Sequence, residues 1–389
     1  MLRRRPLALC VLALTFLFSS CSAPRQVAAE SLPKEQPPDL VPHSREANDV
    51  ARFLAGMPGT PGSPYAALEA KEVWKEHRRI VDAAWQEAER EQLPGLRKFQ
   101  ADELSAPSLQ SRTVFYPFSG PDSLTAALYF PHNPLYVMVA LEPAGTLPTQ
   151  RQIAAKQTPA YLSAIRETMA SELGRSFFIT RQMDHQFRGQ VTDGLLVPIM
   201  QLLVRSGHTI VGFRYVRLNE AGQVIDRAPD YHASTRYGNK GVEIEFQNDA
   251  DSSLHHLFYF SVNLSNDRLR ENTPFQLYLS RLSGTVSMLK ATSYMPHNAG
   301  FSMIVDALLR DSDAILQDDS GLSYKKFATD QWKVQLYGDY NRPYGSFRWM
   351  EQSDLREAYK TSGPKPLPMH VGYGYKRITS NLQLATRLK

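Results

Sequence analysis

The chain has 389 residues, of which 42% are hydrophobic and 21% charged, with 22 glycines, 26 prolines and a formal net charge of +5. This composition excludes a disordered, collagen-like or multi-span membrane protein, and the length is sufficient for one large core or two smaller ones. Past the first few residues no basic block argues for nucleic acid as a partner.

The first 20 residues have the pattern of an export signal. A basic stretch, Arg3-Arg4-Arg5, precedes an apolar run over residues 7–18 that is too short to cross a bilayer, so residues 1–20 are predicted to be a cleaved signal peptide. The run ends in Ser19-Ser20-Cys21, with Phe18 three positions before the cysteine.

This boundary resembles the lipobox of bacterial lipoprotein precursors. The resemblance implies that Cys21 carries fatty acyl chains such as palmitate and anchors the protein to a membrane. Ser22 after the cysteine resembles the sorting signal for the periplasmic face of the outer membrane. The alternative is an ordinary secretory peptide cleaved near Ala23.

Cleavage of the signal peptide changes the net charge and the cysteine content of the mature chain. The formal net charge falls from +5 to +2 when the three arginines leave, and Cys10 leaves with them. With Cys21 acylated, no cysteine remains for a disulfide, a thiolate metal site or a nucleophile. The adjacent pair His255-His256 lacks the spacing that points two ligands the same way, so no metal site is predicted.

Two segments are predicted between the signal and the main domain. Residues 21–43 contain the lipidated cysteine and then five prolines without an apolar period, which indicates a tether. Residues 44–108 form a helical segment, with a short helix over 44–57 and a long one over 66–92. The apolar residues of the long helix recur at helical spacing, which favours packing on the core over a partner-binding surface.

From residue 109 to residue 389 the pattern is that of an α/β domain. Strands are predicted over residues 113–118, 135–141, 177–180 and 208–218, alternating with helices over 122–130, 152–173 and 192–206. A strand-rich insertion follows over residues 223–226, 242–246 and 257–262. The alternation resumes with helices over 274–282 and 299–309 and strands over 285–291, 314–317 and 332–337. This order predicts a Rossmann-like, three-layer domain with a mostly parallel, mixed sheet and an antiparallel insertion.

The most site-like feature is the first strand-loop-helix-strand unit of this domain. Gly120 lies in the loop and Glu142 at the tip of the second strand. That layout resembles the opening of a Rossmann-type nucleotide domain, in which the acid holds a ribose hydroxyl. It makes Ser119, Gly120, Asp122 and Glu142 candidate ligand-binding residues.

Two observations count against a nucleotide cofactor at this unit. Pro121 removes one of the amides that a phosphate needs, and an exported protein seldom meets NAD or S-adenosylmethionine, so no cofactor is predicted. In the alternative interpretation Gly120 and Pro121 form a tight turn and Asp122 caps the following helix.

Other polar residues also follow predicted strands. Asp318 and Asp319 come at the carboxyl end of a strand, where α/β sheets place their sites, or else form a solvated turn. His297 precedes a helix and is a candidate general base or a helix-start residue. With Asp122 and Glu142 these three are candidate catalytic residues.

Three blocks, Phe-Tyr-Pro-Phe-Ser-Gly-Pro-Asp, Leu-Glu-Pro and Gln-Asp-Asp-Ser-Gly, resemble a family of exported bacterial proteins of uncharacterised activity. The resemblance extends over about residues 110–385 and implies the fold without an activity. The leading hypothesis is an envelope lipoprotein that binds a glycan or peptide in a crevice at the strand ends. A carboxylate-dependent hydrolase and a scaffold for another envelope protein are the alternatives, so whether the protein is an enzyme stays open.

Overall fold

The computed structural model describes residues 41–155, 158–173, 194–227, 239–343, 345–373 and 380–388. The predicted signal peptide, Cys21, most of the tether and the predicted strand over 177–180 lie outside these residues. By its internal contacts the chain divides into Met1–Pro38 and a unit that comprises Asp39–Lys389. No helix among the described residues is both long and apolar enough to cross a membrane.

The amino-terminal helices pack into the same core as the sheet. They are α1 (Val41–Leu54), α2 (Ala66–Glu69), α3 (Glu72–Glu91), α4 (Leu93–Phe99) and α5 (Pro107–Gln110), with a π-helical turn over Gln100–Leu104. On α3 the residues Trp74, Val81 and Trp85 are buried, and the Trp74 indole donates a 3.0 Å hydrogen bond to the Phe53 carbonyl of α1. The helical stripe of α3 therefore faces the core, as its spacing predicts.

Ten strands of the described residues form one sheet. They are β1 (Thr113–Pro117), β2 (Leu135–Ala140), β3 (His208–Leu218), β4 (Val224–Asp226), β5 (Lys240–Asn248), β6 (Leu254–Ser261), β7 (Thr285–Leu289), β8 (Ser312–Gln317), β9 (Trp332–Gly338) and β10 (Asn381–Arg387). Their order is β4-β3-β5-β6-β2-β1-β7-β8-β10-β9. The five central strands from β6 to β8 are parallel, and the pairs outside them are antiparallel.

Helices cover both faces of the sheet. The others are α6 (Ser123–Tyr129), α7 (Gln150–Ala155), α8 (Thr158–Leu173), α9 (Leu196–Arg205), α10 (Asn266–Arg270), α11 (Thr273–Leu279), α12 (Ser302–Asp311) and α13 (Ser353–Thr361). Alternate strand residues point to opposite faces. Val114 and Tyr116 belong to the core that also contains residues of α1, α3, α6 and α9, whereas Phe115 belongs to a second core with residues of α11 and α12.

The fold class predicted from the sequence is confirmed: an α/β domain with a mixed sheet whose central strands are parallel. The predicted membership of the antiparallel insertion is wrong for two strands. Residues 257–262 were assigned to the insertion, but β6 pairs in parallel with β2, and β3, which was assigned to the alternating strands, pairs antiparallel with β5. Strands β2 and β6 lie on one side of β1, and β7 and β8 lie on the other. The chain thus reverses its direction of travel across the sheet between β1 and β7. In open α/β sheets such a switch point leaves a crevice at the carboxyl ends of the strands.

Candidate functional site

The crevice at this switch point is a cavity of about 330 Å³. Its lining comes from the segments that follow β1, β2, β6 and β7, together with residues at the ends of those strands and in the helices after them. The lining includes Ser119, Gly120, Asp122 and Glu142, the four residues that the sequence singled out for ligand binding. The structure therefore brings these four residues together, and their role in binding stays a prediction.

The two loops that meet at the switch point have an unusual backbone. Phe118 after β1 has a φ of 59°, and Ala291, Ser293 and Tyr294 after β7 have φ values of 52°, 56° and 56°. Left-handed backbone at a non-glycine residue costs about 1–3 kcal/mol, and such residues cluster at ligand clamps and active sites. Gly120 lies in the loop after β1 and has a φ of 54°, which a glycine adopts without this cost in free energy.

A buried ion pair forms the polar floor of the cavity. The Lys290 ammonium lies 2.6 Å from Oδ2 of Asp122, and the two side chains are 4% and 2% exposed. Tyr116 donates its hydroxyl to the same oxygen at 2.8 Å, and Lys290 also donates to Oγ1 of Thr125 at 2.8 Å. The floor is therefore a closed hydrogen-bonded network that is electrically neutral.

Asp122 also caps helix α6. Its Oδ1 accepts a 3.1 Å hydrogen bond from the Thr125 amide, which is the capping role that the sequence offered as an alternative. The two interpretations are compatible, because one carboxylate both caps the helix and lines the cavity.

The walls and rim of the cavity are mainly apolar. They include Phe118, Leu141, Leu264, Met295 and Phe301. The rings of Phe118 and Phe301 meet edge to face at 5.8 Å between centroids. Leu141 is 64% exposed and Met295 40% exposed, so apolar surface continues from the cavity to solvent. Such a mixture, apolar walls with a few convergent polar groups, is typical of a small-molecule site.

Asp318 and Asp319 are buried behind the β7 loop, and neither belongs to the cavity lining. Oδ2 of Asp318 accepts a 2.8 Å hydrogen bond from the amide of Ala291, and its Oδ1 accepts one from the Ser320 amide at 3.0 Å. Burial, together with the charge of Asp319, raises the pKa of the Asp318 carboxyl to about 7. Asp318 therefore holds the strained β7 loop in place, and the solvated turn predicted as its alternative is wrong because both side chains are buried.

His297 lies with Asp319 in a second cluster beside the cavity. Its ring centroid is 5.2 Å from that of Tyr294, and Tyr294 donates its hydroxyl to Asp319. Asn381 donates to the other oxygen of Asp319 at 2.9 Å. Burial lowers the pKa of the His297 imidazole. Among the described residues that line the cavity, Asp122 and Glu142 are the carboxylates, whereas His297, Asp318 and Asp319 lie outside the lining. A catalytic role for these five residues stays a prediction.

A third polar cluster lies on the antiparallel part of the sheet. Ligand-type atoms of Glu243, Glu245 and His256 lie within 4.8 Å of one another, although the sequence predicted no metal site. Arg214 already forms an ion pair with Glu243, and His256 Nδ1 lies 3.0 Å from the same carboxylate. The hydrogen bond to Glu243 raises the pKa of His256. The arrangement serves as an ion-pair network, in which a cation would compete with the arginine for Glu243.

Sequence reasoning missed Lys290, the only cation in the cavity lining among the described residues. A signal was present, since Lys290 directly follows the apolar strand β7 at its carboxyl end. Its partner Asp122 is remote in sequence, and only the placement of β7 beside β1 brings the two together.

Comparisons of the chain with protein-family models, with curated proteins and with solved structures find no match.

Proposed function

We propose that the protein is a lipid-anchored binding protein of the cell envelope whose ligand occupies the strand-end cavity. The observation that carries the proposal is the position and lining of that cavity. It lies at the switch point of the sheet and combines apolar walls with the carboxylate of Glu142 and a neutral ion pair.

The cavity contains features that do not favour the stability of the fold, and this supports a ligand-binding site rather than a scaffold surface. A buried ion pair is often no more stabilising than apolar residues of the same volume. Three non-glycine residues of the lining, Phe118, Ala291 and Ser293, have left-handed backbone. Features that stability alone does not favour therefore converge on one cavity.

Filling the mouth of the cavity tests the proposal. Leu141 lines the cavity and is 64% exposed, so Leu141→Trp adds bulk at the mouth without disturbing the core. Leu254→Trp is the matched control, because Leu254 is 48% exposed and outside the lining. The probes are nucleosides, monosaccharides, muramyl dipeptide and amino acids, each added to the mature protein in a thermal-shift series.

We expect at least one probe to raise the Tm of the wild type and of Leu254→Trp, because a ligand that binds only the folded state stabilises it. The same probe is expected to leave the Tm of Leu141→Trp unchanged. Stabilisation that persists in Leu141→Trp, or no stabilisation by any probe at millimolar concentration, would contradict binding in this cavity.

The anchor is tested separately. Cys21→Ala is expected to move the protein from the membrane fraction to the soluble periplasm without changing its Tm, because the acyl chains alone hold it to the membrane. Fractionation of the variant and the wild type, followed by immunoblotting, measures the change. Equal membrane retention of the two proteins would contradict the proposal that the protein is a lipoprotein.

A further inference from the structure

We infer that the ligand of the strand-end cavity is a nucleoside without a phosphate group, held through its ribose hydroxyls by Glu142. This inference rests on the proposed function and adds the chemical class of the ligand. It depends on three properties of the cavity: the acceptor at its rim, its charge and its apolar walls.

Glu142 offers a carboxylate acceptor to a ligand in the cavity. It is half-buried at the tip of β2, and its carboxylate has no hydrogen-bond or ion-pair partner among the described residues. Its backbone carbonyl is fixed by a 2.6 Å hydrogen bond from the Tyr259 hydroxyl. An ionised carboxylate only accepts hydrogen bonds, and its two oxygens match two neighbouring donors such as the 2′ and 3′ hydroxyls of a ribose.

The position of Glu142 agrees with this role. It follows the second strand of the first β-α-β unit, beside the glycine turn of Gly120, and both residues line the cavity. Glu142 therefore lies in the switch-point crevice, where open α/β sheets bind their ligands.

The charge of the lining disfavours a phosphate. Among the described residues of the lining, the charged ones are two carboxylates, Asp122 and Glu142, and one ammonium, Lys290, whose charge is neutralised by Asp122 at 2.6 Å. Pro121 has no amide hydrogen. The Thr125 amide at the start of α6 already donates to Asp122, so two of the positions that could supply an amide to a phosphate are lacking or occupied.

The walls distinguish a nucleoside from a free sugar. Phe118, Phe301, Leu141 and Leu264 offer apolar area against which a planar base can pack. A free sugar would place hydroxyls against those side chains without partners, at a cost in free energy. A volume of about 330 Å³ is at the small end of ligand pockets and suits one base and one ribose rather than a dinucleotide.

Calorimetric titration of the mature protein with adenosine, 2′,3′-dideoxyadenosine, AMP and ribose tests the inference. We expect adenosine to bind at least about tenfold more tightly than the dideoxy analogue, because hydrogen bonds to a charged acceptor are lost. Ribose lacks the base and AMP adds charge, so both are expected to bind at least about tenfold more weakly than adenosine.

Glu142→Gln assigns the effect to one residue. The variant is expected to lose about tenfold in affinity for adenosine. Its affinity for the dideoxy analogue is expected to change little, because the substitution and the removal of the ribose hydroxyls abolish the same hydrogen bonds. The matched control is Glu220→Gln, an exposed glutamate in the turn between β3 and β4, which is expected to bind like the wild type. If Glu142→Gln binds adenosine as tightly as the wild type, the assignment of Glu142 is wrong.

The outcomes separate this inference from the proposed function. If a sugar, peptide or amino acid binds in a manner that Leu141→Trp abolishes while adenosine does not bind, the nucleoside inference fails and the binding function stands. If AMP binds as tightly as adenosine, the inference that the ligand carries no phosphate group is wrong. If no probe binds, both fail.

Discussion

Replacing Lys290 by methionine is expected to lower the free energy of unfolding by about 3–5 kcal/mol, because the Asp122 carboxylate would then be buried without its charge partner. Both side chains of the pair are at most 4% exposed, so water cannot substitute for the lost ammonium. Methionine has a similar length and leaves no large void. Urea unfolding followed by circular dichroism measures the change.

The double variant separates charge from packing. Asp122→Asn retains a helix-capping oxygen, yet it leaves Lys290 without a counter-charge, so it is expected to cost more than the loss of a cap alone. Combining Asp122→Asn with Lys290→Met removes both charges and is expected to restore much of the stability. A double variant as unstable as the sum of the two single ones would show that charge pairing is not the cause.

Acid is expected to destabilise the protein through His77. This side chain is fully buried on α3, with Nε2 2.9 Å from the Leu54 carbonyl, and burial lowers its pKa from 6.5 to about 4. Between these values the unfolded chain binds a proton that the folded protein does not. The stability that neutral His77 contributes is therefore present above pH 6.5 and is lost as the pH falls toward 4, by about 3 kcal/mol.

His77→Gln tests this dependence, because the glutamine amide can still donate to the Leu54 carbonyl but has no proton to gain. Between pH 7 and pH 4 the wild type is expected to lose about 3 kcal/mol more stability than the variant. His132→Gln, at an exposed histidine, is the control and is expected to follow the wild type. Equal losses in the wild type and His77→Gln would mean that His77 does not titrate as its burial implies.

The local sequence pattern was sufficient to predict most of the strands. Strand β3 has the predicted bounds, and β1, β2 and β8 differ from their predicted ranges by one or two residues, because buried apolar runs between turn residues are a strong strand signal. The last elements were not predicted. Helix α13 buries only Leu355 and Tyr359, and β10 alternates polar and apolar residues between two neighbours, so its burial depends on the pairing rather than on composition.

The candidate site could be predicted in part for the same reason. Gly120, Asp122 and Glu142 lie within one local β-α-β unit, whose geometry follows from the alternation of strand and helix. Lys290 enters the site from the other side of the switch point, and Asp318 supports the β7 loop from the strand after that. Those contacts depend on the order of strands in the sheet, which a single sequence does not contain.

The position of β10 in the sheet means that the sheet cannot be completed before this strand is present. Strand β10 lies between β8 and β9, although it is synthesised after both. Until residues 381–387 have been made, β8 presents an open edge, and an unpaired edge is a template for pairing with other chains. Chains that lack this strand are therefore expected to keep the edge of β8 exposed and to depend on chaperones to avoid aggregation.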